Sequence, residues 1–270
     1  MSLKEHLREK FVYVDEVAEI LQIGSLTNKN VFLYGRGGHA KSEIIEQFLK
    51  YLDRNGNESF VQACGEGLTE DKLFGGIDMK EFQKTGEIKH LVQNSFMNKK
   101  YVVFEELLDS RMNVLLSLKD ILTSGWFRQG KQQFKIRTEF IICLTNRTKQ
   151  EVSEDNSIKA LLERFPLEMK VEWPKYENED YQNMFVKVLK NNYHEVAQVC
   201  QLINESGDFV SPRTAIHMAQ VYAKTNNLID LKYFGATADI IAKMEKKKRE
   251  KELKEFLSLE ATKLNNIINN

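Results

Sequence analysis

Cysteine, proline, net charge and long apolar segments are all scarce in this chain of 270 residues. The three cysteines, Cys64, Cys143 and Cys200, are widely spaced and odd in number. This argues against a disulfide framework or a cysteine metal site, and it favours reduced thiols in the core. Three prolines and a charged content of 29% favour a chain with many helices.

The charge balance and the lack of apolar runs exclude further classes of protein. Thirty-nine basic residues match 39 acidic ones, so the chain does not attract nucleic acid or anionic lipid through its overall charge. No run of about 18 apolar residues is present to span a bilayer, and residues 1–6 lack the apolar core of a signal peptide. We therefore expect a cytoplasmic protein with no membrane insertion. A hydrophobic content of 42% suffices for a core and excludes disorder throughout.

Five short apolar runs predict buried strands, at residues 30–34, 59–63, 101–104, 138–144 and 167–171. Helical spacing of apolar residues occurs at 5–22, 42–52 and 113–122. Strands that alternate with helices predict an α/β fold, in which a parallel five-stranded sheet is sandwiched by helices.

The patterns change twice along the rest of the chain. After residue 175 they predict only helices, at 181–189, 194–204 and 212–224. We predict an α/β domain at 1–175, a small all-helical lid at 176–240 and a charged amphipathic helix at 241–270. In the last segment eight basic residues face five acidic ones, and apolar residues recur every three or four positions, at Leu253, Leu257, Ala261 and Leu264. Such a helix either packs on the lid or docks on a neighbouring subunit or partner.

A glycine-rich segment lies between the first predicted strand and the following helix. It reads Gly35-Arg36-Gly37-Gly38-His39-Ala40-Lys41-Ser42. Inward-pointing backbone N–H groups at a helix N-terminus can cradle phosphates, Lys41 can reach the β- and γ-phosphates, and the Ser42 hydroxyl can bind Mg²⁺. The phosphate-loop pattern has glycine where this chain has Ala40, a change that is costly only if φ is positive there. We expect His39 to be a loop residue near the phosphates rather than a catalytic base.

Polar groups follow two later strands. Glu105 and Glu106 end the third predicted strand, which suits a Mg²⁺ contact through Glu105 and water activation by Glu106. The usual first acid of such a pair is aspartate, which is one methylene shorter than Glu105. Asn146 follows the fourth strand and could hold the same water, although asparagine is also a common turn residue.

These motifs, in this order, resemble those of AAA+ ATPases, most closely the MoxR-like group of the helix-2-insert clade, over residues 5–225. Further marks are Ala160–Phe165, Ser211–Arg213, an insert-like segment at 68–76 and 84–87, and a hairpin-like segment at 125–131. The resemblance implies that Arg164 is an arginine finger for a neighbouring subunit, with Arg147 as second candidate, and that Arg213 senses the γ-phosphate. A fixed guanidinium suits either role because it stabilises phosphoryl charge. Arg164 could instead form a structural ion pair.

The resemblance implies an ATPase that binds ATP and Mg²⁺ between the subunits of a homo-oligomeric ring, with a hexamer expected, and that remodels a protein client in the manner of a chaperone. A von Willebrand factor A (vWA) domain protein is the partner that such ATPases commonly have. Because Ala40 and Glu105 both depart from the pattern, a weakly hydrolysing nucleotide switch or scaffold is one alternative. A nucleic-acid-directed motor with a basic pore, to which Lys99, Lys100, Arg128 and Lys131 contribute, is another, although neutral charge does not favour it. The residues do not distinguish ATP from GTP.

Overall fold

A computed structural model of the chain describes residues 1–147, 151 and 156–268, and it describes side chains up to residue 261 except at 156 and 157. The chain divides into two compact units, Met1–Glu172 and Trp173–Asn270. Each unit is described by itself below.

The first unit contains helices α1 to α7 and strands β1 to β7, joined in places by short 3₁₀ turns. In chain order they are α1 (Leu3–Arg8), α2 (Asp15–Thr27), β1 (Val31–Tyr34), α3 (Lys41–Leu52), β2 (Ser59–Ala63), α4 (Glu70–Phe74), α5 (Met79–Thr85), β3 (Tyr101–Glu105), α6 (Met112–Ser124), β4 (Trp126–Gln129), β5 (Gln132–Lys135), β6 (Phe140–Thr145), α7 (Asn156–Leu162) and β7 (Leu167–Lys170).

Five of these strands form a parallel sheet in the order β2-β3-β6-β1-β7. In the register of the sheet, Ile142 of β6 lies between Val103 of β3 and Val31 of β1. All six residues of β6 are buried, as expected for a central strand that is covered on both faces. The predicted parallel five-stranded sheet is confirmed.

Helices cover both faces of the sheet. On one face, the ring of Phe48 from α3 packs edge-on against Phe140 of β6, with their centroids 5.9 Å apart. On the other face, Ile141 and Cys143 join a buried cluster with Leu118 of α6 and Leu161 of α7. Alternate residues of a strand point to opposite faces, so the near-continuous apolar runs of the sequence supply both layers of the core.

The predicted helix at 5–22 is wrong as a single element. The structure has α1 and α2 instead, with Tyr13 in the left-handed region at φ 55° between them. Ser2 caps α1, because its hydroxyl accepts the Glu5 N–H while the Glu5 carboxylate accepts the Ser2 N–H. The apolar spacing continues across the break because both helices bury residues in the same core, so periodicity alone does not reveal two helices.

The second unit is helical, with α8 (Asn178–Leu189), α9 (His194–Glu205), α10 (Pro212–Thr225), a 3₁₀ segment (Leu228–Phe234) and α11 (Ala238–Ile268). In this unit the side chain of buried Asn204 links α8 to the loop between α9 and α10. Its Nδ2 donates to the Tyr181 hydroxyl at 2.9 Å, and its Oδ1 accepts the Val210 N–H at 2.8 Å. These bonds fix the loop that leads into α10.

In α11, Ile241 and Met244 are buried, whereas Leu253, Phe256 and Leu257 are more than half exposed. The side chain of Leu264 lies outside the described residues. Across the part of the chain that the structure describes, no helix is both long and apolar enough to cross a membrane.

Candidate active site

The glycine-rich loop leaves the carboxyl end of β1 at the middle of the sheet. The Gly35 N–H donates to the Thr145 carbonyl oxygen at 3.2 Å, which joins the loop to the end of β6. Gly35 has φ +144°, and a Cβ atom there would lie only 2.4 Å from the Val171 carbonyl oxygen. The close approach of three strand ends therefore requires glycine at this position.

Ala40 has the backbone conformation that the phosphate-loop pattern reserves for glycine. Its φ is 58° and its ψ is 19°, at the N-cap of α3. For an L-residue with a Cβ atom this left-handed conformation costs about 1–2 kcal/mol. From the sequence we expect alanine at this position to be costly only if φ is positive, and φ is positive. The loop therefore keeps this conformation in spite of local backbone strain.

Lys41, the first residue of α3, is buried beneath the loop. Its ammonium donates to the carbonyl oxygens of Gly35 and Arg36, at 2.7 and 2.9 Å, and to Asn146 Oδ1 at 2.8 Å. The lysine of the loop therefore lies directly beside the amide that follows β6. A buried ammonium needs such oxygen partners, because removing it from water without them is costly.

Glu106 lies just beyond β3 and contacts the backbone of the same asparagine. Its carboxylate Oε2 accepts the backbone N–H of Asn146 at 3.0 Å, and its own N–H donates to the Leu144 carbonyl at 2.8 Å. Its φ of 52° is in the left-handed region, as at Ala40. Glu105, the last residue of β3, is half-buried, and its carbonyl accepts the Cys64 N–H at 2.8 Å.

The remaining loop residues differ in exposure. Arg36 and Gly37 are exposed, Gly38 is half-buried with φ 83°, and the Ser42 hydroxyl is on the exposed first turn of α3. Buried His39 has a lowered pKa, first because burial disfavours the charged ring and then because the Lys41 and Arg36 cations repel it. His39 is thus held neutral, as a residue that lies under the loop rather than a base open to solvent.

The cysteines near the site are free thiols. Burial raises the pKa of Cys64 to about 12 and raises that of Cys143 as well. They are therefore protonated at neutral pH and act as small apolar side chains.

The three candidate arginines occupy different positions. Arg164 follows α7, where its Nε donates to the Thr123 hydroxyl at 2.9 Å and its Nη1 lies 3.5 Å from the adjacent Glu163. Arg147 follows Asn146 and pairs with Asp109 at 2.5 Å. Arg213 is exposed on the first turn of α10, which begins with Ser211 as N-cap and Pro212 as first residue.

The sequence did not predict two contacts of the first unit. Asp109, three residues beyond Glu106, has no motif that marks it as a partner of Arg147. The second contact joins the insert (residues 68–92, with α4 and α5) to the hairpin (β4 and β5). There the Gln132 side chain accepts the His90 N–H at 2.8 Å and donates to the His90 carbonyl at 2.9 Å.

Aromatic packing supports this second contact. The ring of Phe127, buried in the hairpin, lies 5.6 Å from that of His90 and 5.7 Å from that of Phe74. An ion pair between Lys131 and Glu87 adds to it at the surface. Phe127 is thus a core residue, whereas Trp126 is partly exposed under the Arg128 guanidinium.

The arrangement brings a lysine, a carboxylate and an amide together at the carboxyl edge of a parallel sheet, beside a helix N-terminus. Such an edge, where the strand order brings loops together, is the usual ligand site of open α/β sheets. A cationic group with backbone N–H donors suits phosphate, and an adjacent carboxylate and amide can orient water. The fold and the order of these groups define the chain as an AAA+ ATPase domain of the P-loop NTPase class.

The family follows from a direct match. A family model described as the MoxR domain in the MoxR-vWA-beta-propeller ternary systems matches residues 1–206, and the chain belongs to this family of MoxR-like AAA+ ATPases.

Among curated proteins, the chain is similar to two uncharacterised proteins of Methanocaldococcus jannaschii. It is 20% identical to one over 242 residues, which are 89% of this chain and 57% of that relative. It is 22% identical to the other over 164 residues, which are 61% of this chain and 41% of that relative. The chain thus spans about half the length of these relatives.

Solved structures share the fold. A Cytophaga hutchinsonii protein provisionally described as an ATPase superposes with a TM-score of 0.51 at 15% identity, over 89% of this chain and 82% of the other. NtrX from Brucella abortus in complex with ADP gives a TM-score of 0.55 at 13% identity, over 84% of this chain and 53% of NtrX.

Proposed function

We propose that this chain binds ATP with Mg²⁺ on residues 35–42 and hydrolyses it at the subunit interfaces of a homo-oligomeric ring, in order to remodel a protein partner. One observation carries the proposal: Asn146 contacts the Lys41 ammonium through its side chain and the Glu106 carboxylate through its backbone. The phosphate-binding lysine and the water-activating acid thus meet at one residue, although all three come from distant segments of the chain.

The residues of the loop suit a nucleotide triphosphate. The loop backbone at residues 36–38 and the N-terminus of α3 offer N–H groups to the phosphates, with Lys41 beneath them and Arg213 as a candidate sensor. The donor set also suits Mg²⁺, because the Ser42 hydroxyl and the Glu105 carboxylate are hard oxygen ligands. Among the described residues no group of three or more His, Cys, Asp or Glu could hold a metal by itself.

In the proposed reaction Mg²⁺ supplies charge neutralisation of the phosphates when it is bound. Glu106 accepts the proton of the attacking water, and Asn146 orients that water. Arg164 from the neighbouring subunit offers its guanidinium to the transferred phosphoryl group, and its Nη donors can do so while its Nε stays on the Thr123 hydroxyl.

The proposed partner is a protein with a vWA domain. The support is the description of the family, which places its MoxR domain in systems with vWA and β-propeller components. We do not extend the proposal to nucleic acid, because three of the four basic residues suggested for a pore already pair with oxygen atoms of the chain. Lys131 pairs with Glu87, Lys100 pairs with Glu139, and Lys99 donates to the Asn57 carbonyl.

The test is steady-state ATP hydrolysis with and without Mg²⁺. We expect Lys41→Ala and Glu106→Gln each to lower the rate at least tenfold, with nucleotide binding lost in the first and retained in the second. Lys50→Ala, on the exposed side of the same helix, is the matched control. Unchanged rates in both site variants would refute the proposal.

Mixed rings test the shared site. Arg164→Ala and Glu106→Gln subunits should each be inactive alone. When they are mixed, activity should return in part, because some sites then combine an intact Glu106 with an intact Arg164. A mixture as inactive as its components would show that Arg164 does not act across the interface.

One observation favours a second candidate, a nucleotide switch that hydrolyses slowly. Three protein oxygens already occupy the Lys41 ammonium, and a phosphate must displace some of them to bind it. Tight ATP binding with negligible turnover in the wild-type chain, including after addition of a vWA partner, would support the switch instead.

A further inference from the structure

The loop that follows β3 and the loop that follows β6 are joined at a second point, in addition to the contact between Glu106 and Asn146. Arg147 directly follows Asn146, and Asp109 lies three residues beyond Glu106. The Arg147 Nη2 and Asp109 Oδ1 atoms are 2.5 Å apart, and both side chains are about two-fifths exposed.

Asp109 is rigidly related to Glu106. Its N–H donates to the Glu106 carbonyl at 3.0 Å, which closes the 3₁₀ turn Leu107–Asp109 directly after Glu106. Glu106 itself has a positive φ of 52°, a conformation that a residue with a side chain keeps only where its surroundings hold it. A contact that holds the turn therefore also holds the Glu106 carboxylate.

Arg147 is anchored in the same way on the other loop. Its backbone N–H donates to the Thr145 hydroxyl at 3.1 Å, and Thr145 is fully buried at the end of β6. The guanidinium thus extends from a fixed backbone towards Asp109 of its own subunit.

We propose that Arg147 and Asp109 form a positioning pair that holds the Glu106 carboxylate against the Asn146 backbone, and that Arg147 acts within its own subunit and not as a finger. The inference rests on the proposed ATPase function. A half-exposed ion pair adds little to stability. Small displacements of a catalytic group can nevertheless lower a rate by two orders of magnitude, so the pair matters for geometry.

Enzyme kinetics test the pair. Arg147→Ala and Asp109→Ala should each lower kcat for ATP at least tenfold and leave KM within about twofold, because the nucleotide loop is untouched. Arg147→Lys, which keeps the charge, should retain more activity than Arg147→Ala. The exchanged pair, Asp109→Arg with Arg147→Asp, should recover part of the loss of either alanine variant. An unchanged kcat in both alanine variants would overturn the proposal.

Mixed rings separate positioning from a finger role. If Arg147 acts in its own subunit, a mixture of Arg147→Ala with Glu106→Gln subunits stays as inactive as its components. Recovery in that mixture would overturn the proposal, since a finger can be supplied by the neighbour. The mixture of Arg164→Ala with Glu106→Gln provides the comparison.

A measurement without hydrolysis keeps the inference distinct from the proposed function. Amide hydrogen exchange in peptides over 104–110 and 143–147 should accelerate at least fivefold in Arg147→Ala, because the Asn146 N–H loses its fixed acceptor. Unchanged exchange would overturn the proposed positioning role of the pair, even if the chain hydrolyses ATP. If the wild-type chain fails to hydrolyse ATP but exchange responds, the ATPase proposal fails and the pair remains as a link between the loops.

Discussion

The candidate active site and the joint between the insert and the hairpin are held together by different means. At the site, short polar bonds connect loops that follow β1, β3 and β6, and Ala40 and Glu106 have left-handed backbone conformations. At the joint, aromatic rings pack and one glutamine amide pairs with both backbone groups of His90. The site therefore stores local strain, whereas the joint relies on packing, and its positive-φ positions, such as Gly75 and Gly130, are glycines.

This difference indicates which region can change state at low cost. Strained loops held by a few polar bonds can rearrange when a ligand replaces those bonds. A joint held by buried aromatic contacts tends to move as one piece, because packed interiors deform little. We expect nucleotide to rearrange the loops while the insert and the hairpin stay together.

The largest change in stability is expected when the contact between the insert and the hairpin is broken at Gln132. Gln132→Ala leaves the His90 N–H and carbonyl without their partner, which should lower the local stability of the insert by about 1–3 kcal/mol. Amide hydrogen exchange in residues 88–92 should accelerate accordingly. Gln133→Ala, on the exposed side of β5, is the matched control. Equal exchange in the two variants would contradict the role of the amide.

A smaller effect of opposite sign is expected at Ala40. Ala40→Gly removes the left-handed penalty but adds freedom to the unfolded chain, so we expect a net stabilisation of about 0.5–1 kcal/mol in urea unfolding. Ala242→Gly, at an exposed helical position of α11, should instead cost about 1 kcal/mol. Destabilisation by Ala40→Gly would show that the loop is not strained in solution.

The smallest effect concerns His39, whose pKa is lowered by burial, Lys41 and Arg36 and is raised in part by Glu172. The unfolded chain then binds its proton first, so stability is fully present above about pH 6.5 and falls as the pH drops towards the folded pKa. The unfolding midpoint of the wild type should decrease more between pH 7.5 and 5.5 than that of His39→Gln. Exposed His217→Gln provides the control, and parallel curves for wild type and His39→Gln would refute the expectation.

Much of the fold was predictable because apolar runs report burial directly. The five strands of the sheet were placed from such runs, and the central strand β6 is the clearest example, since all its residues are apolar up to Thr145. The break between α1 and α2 was not predictable, because Tyr13 adopts a positive φ that its residue type does not suggest.

The site was predictable in part for a related reason. Residues that follow parallel strands meet at one edge, so Lys41, Glu106 and Asn146 could be grouped from their positions alone. The Asp109 and Gln132 contacts depend on side-chain directions across 38 and 42 residues of chain, and no spacing rule encodes them. The sequence shows only that Ala40 is costly if its φ is positive, because φ angles cannot be read from a sequence.

The place of β6 between β3 and β1 has a consequence for how the site can move. Asn146 directly follows β6. Its side-chain oxygen accepts from Lys41, at the end of the loop after β1, and its backbone N–H donates to Glu106, which follows β3. A shift that releases Lys41 to a phosphate also changes the surroundings of Asn146, and through it those of Glu106. The contacts of Lys41 and of Glu106 are therefore linked through one residue, Asn146.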